Sequence, residues 1–178
     1  MIPAPGEDAK PHFPMDRDER RAARLVVIGL GSNTDPGKHL PAAFKELSFA
    51  FHLLVRSTPY VGPPVGDGPA AAPGAASTFS NAAALIRTAD TFDQIKGSLK
   101  GIEAALGRER EDPRVVTIDL DILIIQGEVI RGERDRILVP HPDLCAYPHG
   151  SIPCAEVAPF LRHPLTNETV KEIADRLG

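Results

Sequence analysis

Residues 115–130 read VVTIDLDILIIQGEVI, and this apolar, β-branched run is the strongest strand signal in the chain. Two acidic residues, Asp119 and Asp121, interrupt it. Because side chains alternate along a strand, both carboxylates project from one face, and the neighbouring isoleucine and leucine side chains project from the other. We therefore expect one long strand, which Gln126–Gly127 turns into a short hairpin.

The segments on either side of this strand supply the remaining elements. Compact apolar runs predict strands, and apolar residues at helical spacing predict helices. The expected strands are 24–31, 53–61 and 79–88, and the expected helices are 37–51, 91–107 and 167–177, the last capped by Thr166. This βαββαβ order predicts an α+β, ferredoxin-like sandwich with an additional short hairpin and a C-terminal helix.

Proline and glycine mark two parts of the chain that fit no regular element. Residues 1–23 carry four prolines and a charged run, and we expect a disordered or partly helical tail there. Residues 59–76 hold five prolines and four glycines, which is typical of a long loop. The 178 residues suffice for one hydrophobic core, so we expect a single domain over 24–178.

Composition excludes several classes of function. Lys and Arg number 20 against 24 Asp and Glu, a formal charge of −4, so the chain lacks the broad basic surface of a nucleic-acid-binding protein. Its apolar runs are shorter than the ~20 residues that a membrane helix needs. Two cysteines, Cys145 and Cys154, are too few for a disulfide scaffold. We expect a cytoplasmic protein that binds neither nucleic acid nor membrane.

The aspartate pair is the first candidate site. Asp119 and Asp121 should lie about 7 Å apart at their Cα atoms, and two carboxylates on one strand face repel each other unless a cation lies between them. Hard oxygen ligands of this kind favour magnesium. A strand whose polar face is merely solvated remains the alternative.

Basic side chains flank the aspartate strand on both sides. Arg108, Arg110 and Arg114 lie in the loop before it, where guanidinium groups could neutralise charge on a polyphosphate. The alternative is an exposed loop in which the interleaved acidic residues pair with these arginines. His141 follows the strand between two prolines, which either present its imidazole to phosphate or only shape a turn.

Five motifs together resemble one known family. GLGSN (29–33), FSNAAALI (79–86), IDLDIL (118–123), VPHPDL (139–144) and PCAEVAP (153–159) occur in the order and spacing of the 6-hydroxymethyl-7,8-dihydropterin pyrophosphokinases of folate biosynthesis. The resemblance runs from about Arg24 to Leu177. It implies a ferredoxin-like fold and magnesium-dependent transfer of diphosphate from ATP to the pterin alcohol, with release of AMP. We also expect a monomer or a dimer. The proline-, glycine- and alanine-rich loop 59–76 lies beside the substrate strand, and we expect it to close over the substrates as a lid.

The resemblance also assigns roles residue by residue. The positions that match the family's metal ligands are Asp119 and Asp121. Those that match its ATP contacts are Glu103, Arg110, Arg136 and His141. Those that match its pterin contacts are Gly62, Val65, Phe79, Asn81 and His149. The basic catalytic loop corresponds to Arg108, Arg110 and Arg114.

The chain departs from the family pattern near the expected site. Val116 stands where the family has an arginine, and the aromatic residue of the basic loop is missing. Tyr147 and His149 stand where the family has an arginine and a phenylalanine. Two alternatives therefore remain open. Besides the expected enzyme, the chain could be a diverged, weakly active or inactive relative that binds nucleotide and metal, or a non-catalytic assembly domain.

Overall fold

The computed structural model describes residues 23–64, 78–109, 111–112 and 114–178. Its centre is an antiparallel sheet in which the strands lie in the order β2-β4-β1-β5, with β3 beside β4. The strands are β1 (Arg24–Ser32), β2 (His52–Arg56), β3 (Tyr60–Gly62), β4 (Phe79–Thr88) and β5 (Asp119–Ile125). Because β1 and β2 both run antiparallel to β4, which separates them, they are parallel to each other. This split βαβ topology confirms the expected ferredoxin-like fold.

Two long helices cover one face of the sheet. They are α1 (Pro36–Ala50) and α2 (Phe92–Ala105). Val26 and Ile28 of β1 point to this side, where they join a core with Leu47 and Leu99 that is almost fully buried. Helix α2 begins at a capping box, in which Thr91 accepts a hydrogen bond from the Gln94 amide.

Three shorter helices cover the opposite face, which makes the domain three layers thick. They are α3 (Asp143–Ala146), α4 (Pro148–Val157) and α5 (Val170–Leu177). Val27, which alternates with Val26 and Ile28 on β1, packs here with Leu144, Cys154 and Val170. Helices α3 and α4 were not predicted, because four prolines within the 14 residues 140–153 obscure any helical period.

Several predicted boundaries were wrong. The strand expected at 53–61 is divided into β2 and β3. Strand β5 begins at Asp119 and not at 115. The chain turns at Gly127, but the short hairpin forms between β6 (Ile130–Arg131) and β7 (Ile137–Val139), which pair with each other. The stretch 59–76 is not entirely loop, because Tyr60–Gly62 pairs with Asn81–Phe79.

The cap of the last helix also differs from the prediction. Thr169 accepts a hydrogen bond from the Glu172 amide, and Glu172 accepts one from the Thr169 amide, so α5 begins one turn later than expected. Thr166 instead donates its amide N–H to Nδ1 of the buried His163, over 3.2 Å. No helix in the described ranges is long and apolar enough to cross a membrane.

Candidate active site

A cavity of about 260 Å³ opens at the end of the sheet where β1 ends and where β4 and β5 begin. The strand register places Gly31 of β1 beside Asn81 on one side and Asp119 on the other, with Gly29 beside Asp121. All five residues line this cavity. A Cβ atom at Gly29 would lie 3.0 Å from the Leu123 side chain, so this position leaves no room for a larger residue.

The two aspartates share this cavity, as the alternation of the strand predicts. Burial raises the pKa of Asp119, and the charges of Asp121 and Glu103 raise it further, against smaller opposing effects of Lys100 and Arg108. A carboxylate in this position gains from a cation beside it. The described residues contain no cluster of three ligands that could hold a metal alone, so a cation here needs oxygen atoms from a substrate or from water.

A second cavity of about 160 Å³ adjoins the first and shares Asp121 and His141 with it. Lys96 and Lys100 of α2 and Arg136 before β7 supply positive charge to its lining. Leucine and isoleucine side chains form much of the remainder. The smaller cavity therefore suits a ligand with an apolar part and an anionic part, positioned next to the carboxylates.

Glu103 lies beneath the site and not in it. Its side chain is 2% exposed and lines neither cavity. Its carboxylate accepts a hydrogen bond from the Leu120 amide over 2.9 Å and pairs with Lys100 over 2.8 Å. Glu103 thus anchors β5 between the two aspartates, which differs from the direct ATP contact that the family resemblance implies.

The basic loop is held mainly by its own residues. Arg108 donates to the carbonyl oxygens of Glu109 and Val115, over 2.6 and 2.9 Å. Arg114 forms a two-pronged pair with Asp112, and this hydrogen bonding lowers the pKa of Asp112 to about 2. Neither arginine lines either of the two cavities described above. For Arg114, the structure matches the alternative of an exposed, paired loop; Arg110 lies outside the described residues.

Asn33 is a residue whose role the sequence did not reveal. Its side chain donates to the carbonyl of Arg114 and accepts from the amide of Val116, both over 2.7 Å. Its own amide donates to the Val116 carbonyl. The end of the GLGSN motif therefore holds the loop immediately before the aspartate strand, and the spacing of the motif alone gave no sign of this pairing.

The far wall of the first cavity comes from α3 and α4. His149 stacks on Tyr147 with ring centres 5.4 Å apart, and its Nε2 lies 3.7 Å from Asp143. Hydrogen bonding to His149 lowers the pKa of Asp143. Asp143 also donates its amide N–H to Nδ1 of His141, whose own amide donates to the carbonyl of Leu123 in β5. His141 is thus positioned by backbone contacts on both sides.

The expected pterin contacts converge only in part. Phe79, Asn81 and His149 line the first cavity. Gly62 pairs with Phe79 at the edge of the sheet, and the two prolines after it, not Gly62 itself, reach the cavity. Val65 lies outside the described residues, as does the rest of the expected lid from 65 to 76 and almost all of the expected tail.

Comparison with known proteins identifies the family. The sequence model of the 7,8-dihydro-6-hydroxymethylpterin-pyrophosphokinase family matches residues 27–159. A 2-amino-4-hydroxy-6-hydroxymethyldihydropteridine pyrophosphokinase from Methylorubrum extorquens is 35% identical over 85% of this chain and 92% of its own length. The protein of the same name from Haemophilus influenzae is 34% identical over 84% of this chain and 93% of its own length. This chain belongs to that family.

Solved structures support the pyrophosphokinase fold independently. The HPPK-DHPS of Plasmodium falciparum matches with a TM-score of 0.67 and 12% identity, over 93% of this chain and 46% of that one. This chain therefore spans less than half of the solved chain. At such low identity the match concerns the fold alone, and it agrees with the sheet order described above.

Proposed function

We propose that this member of the family transfers diphosphate from ATP to 6-hydroxymethyl-7,8-dihydropterin and releases AMP, a step of folate biosynthesis. The observation that carries the proposal is the aspartate pair at the junction of two cavities, in a chain that matches named pyrophosphokinases. These relatives favour an enzyme over the two alternatives, a binding module and an assembly domain.

Each substrate is assigned to one cavity. The larger cavity takes the pterin: Phe79 stacks on the ring, and the Asn81 amide hydrogen-bonds to its polar edge. His149 faces the ring from the opposite wall in place of the family's phenylalanine. The smaller cavity takes the nucleotide, with Arg136 and His141 on its phosphates.

Magnesium fits the aspartate pair. The ion prefers oxygen ligands and is usually held by one or two carboxylates together with substrate phosphates and water, which suits a site with two aspartates and no third protein ligand among the described residues. When bound, such an ion neutralises charge on the phosphoryl oxygens. Asp119 and Asp121 would hold it, and Glu103, which lies beneath them and pairs with Lys100, keeps β5 in place.

The reaction makes one bond and breaks one. The hydroxymethyl oxygen bonds to the β-phosphorus of ATP, the bond from that phosphorus to the α–β bridging oxygen breaks, and AMP leaves with the bridging oxygen. The hydroxyl proton passes to solvent. Positioning and charge neutralisation supply most of the rate increase in such transfers, and we assign the second task to Arg108, Arg110 and Arg114. Arg114 must first leave Asp112, an exposed and therefore weak pair.

The test is AMP formation from ATP, the pterin alcohol and magnesium, measured by chromatography. We expect turnover in the wild type, and at least a ~100-fold loss in Asp121→Asn. Asp175→Asn, which removes an exposed carboxylate on α5, is the matched control and should retain activity. AMP at background level in the wild type, or normal turnover in Asp121→Asn, would contradict the proposal.

The remaining expectations stay predictions. These are a single domain over 24–178, a cytoplasmic location, a monomer or a dimer, and the absence of nucleic-acid and membrane partners.

A further inference from the structure

We propose that Glu156 is a positioning residue that sets the distance between the two walls of the larger cavity, through hydrogen bonds to Thr58. The proposal rests on the proposed function, because it assigns that cavity to the pterin. The Thr58 amide lies 3.0 and 3.1 Å from the two oxygens of the Glu156 carboxylate, and the Thr58 hydroxyl donates to one of them over 2.9 Å. These contacts join positions 98 residues apart in sequence.

On one side, the contact fixes the turn between β2 and β3. Ser57 is buried and joins this turn to β4, since its amide donates to the Ala83 carbonyl and its hydroxyl accepts from the Ala83 amide. Strand β3 follows at once and ends at Gly62. The next two residues, Pro63 and Pro64, line the cavity. Movement of Thr58 is therefore transmitted to this wall through a three-residue strand.

On the other side of the contact, Glu156 belongs to helix α4. The first turn of α4 carries His149 and Gly150, which line the same cavity from the opposite wall. Seven positions separate His149 from Glu156, about 10 Å along a helix. The helix cannot shift easily, because Cys154 is fully buried against the sheet and a Cβ atom at Gly150 would lie 2.8 Å from the Asp143 carbonyl oxygen. Glu156 thus holds the β3 wall at a set distance from the α4 wall.

The arrangement predicts an effect on one substrate only. The smaller cavity is lined by α2, β5 and the segment 136–142, none of which contacts Thr58 or Glu156 through the bonds described. Loosening the β3 wall should weaken pterin binding and leave ATP binding unchanged. Both side chains are exposed, so their substitution leaves no cavity in the core and the fold should persist.

The experiment compares Glu156→Ala, Glu156→Gln and Thr58→Val with the wild type. Glutamine keeps one acceptor oxygen and valine keeps the backbone amide, so each variant retains part of the contact. Glu128→Gln is the matched control, because Glu128 also joins two elements, through a 2.7 Å pair with Arg24, but lies outside both cavities. The readouts are the KM of each substrate, kcat, and the Kd of the pterin by titration calorimetry.

We expect Glu156→Ala to raise the pterin KM and Kd about five- to tenfold, with the ATP KM within twofold of the wild type. Glu156→Gln and Thr58→Val should fall in between, and the Glu156→Ala/Thr58→Val double variant should be no worse than Glu156→Ala. Unchanged pterin binding in folded Glu156→Ala, or an equal rise in both KM values, overturns the inference. The calorimetric Kd decides it even if the wild type forms no AMP, a result that would instead overturn the proposed function.

Discussion

The ionised side chain of Asp119 does not stabilise the metal-free fold. Burial and the neighbouring Asp121 both raise its pKa, so the folded state favours the protonated form. At neutral pH the ionised carboxylate therefore opposes folding, and this contribution diminishes as the pH falls towards the raised pKa. Under the proposed function this unfavourable group has a use, because two adjacent carboxylates suit a divalent cation.

Asp119→Asn should therefore stabilise the metal-free protein while it abolishes turnover. Asparagine has nearly the same shape and removes both the buried charge and its repulsion from Asp121. We expect the Tm to rise by about 2–4 °C, the shift that ~1 kcal/mol produces in a chain of this length. Thermal unfolding in the presence of EDTA measures it. A Tm below that of the wild type would show that the carboxylate is stabilising and would contradict this account.

His163 gives a second pH dependence, of opposite sign. Its Nδ1 accepts the Thr166 amide N–H, and burial lowers its pKa below the ordinary value, so the folded state favours the neutral ring. The unfolded chain binds the proton more readily, and stability should fall as the pH drops below about 6.5. Between pH 7.5 and 5.5 we expect a larger loss of Tm in the wild type than in His163→Asn. Parallel curves would show that His163 does not titrate with unfolding.

At the scale of elements, the segment 108–118 connects helix α2 to the aspartate strand. Its described residues form no helix or strand, and they are held by Arg108, by the Asp112–Arg114 pair and by Asn33. Periodicity cannot predict such a segment, because its contacts depend on a partner about 80 residues earlier in the chain. The same reason explains the split of the 53–61 strand, where distant residues hold a turn: Ala83 binds Ser57, and Glu156 binds Thr58.

Asn33→Ala should disorganise this segment without unfolding the sheet. The variant loses the two side-chain hydrogen bonds to this segment and a third from the Thr34 hydroxyl. We expect kcat to fall about tenfold if the loop then loses its alignment with the phosphates. Asn33→Asp, which keeps the acceptor for Val116 but not the donor to Arg114, should lose less. Steady-state AMP formation measures both effects. Unchanged kcat in Asn33→Ala would mean that the loop needs no anchor from β1.

For the whole molecule, the important feature is that two cavities meet at Asp121 and His141. Strands β1, β4 and β5 bring the carboxylates and Asn81 to one end of the sheet, while α2 and the segment 136–142 supply the cationic side. Neither layer alone contains a complete site. Metal and nucleotide should therefore bind together, since each supplies charge or ligands that the other lacks.

This coupling predicts a specific pattern of ligand stabilisation. A non-hydrolysable ATP analogue with magnesium should raise the Tm by several degrees, because ligand at 100 times its Kd contributes about 2.7 kcal/mol. The analogue with EDTA, or magnesium alone, should raise it much less. Asp121→Asn should abolish the difference between the two nucleotide conditions. Equal shifts with and without magnesium would contradict the metal assignment.

The sequence was sufficient for the order of the main elements, the core alternation of β5, the common face of the two aspartates and the family, because each depends on local periodicity or on a contiguous motif. Helices α3 and α4, the Asn33 and Glu156 contacts, and the buried position of Glu103 depended on the folded chain. They arise from residues far apart in sequence that meet only when the sheet has formed, and no local pattern encodes which distant partner will satisfy a given hydrogen-bonding group.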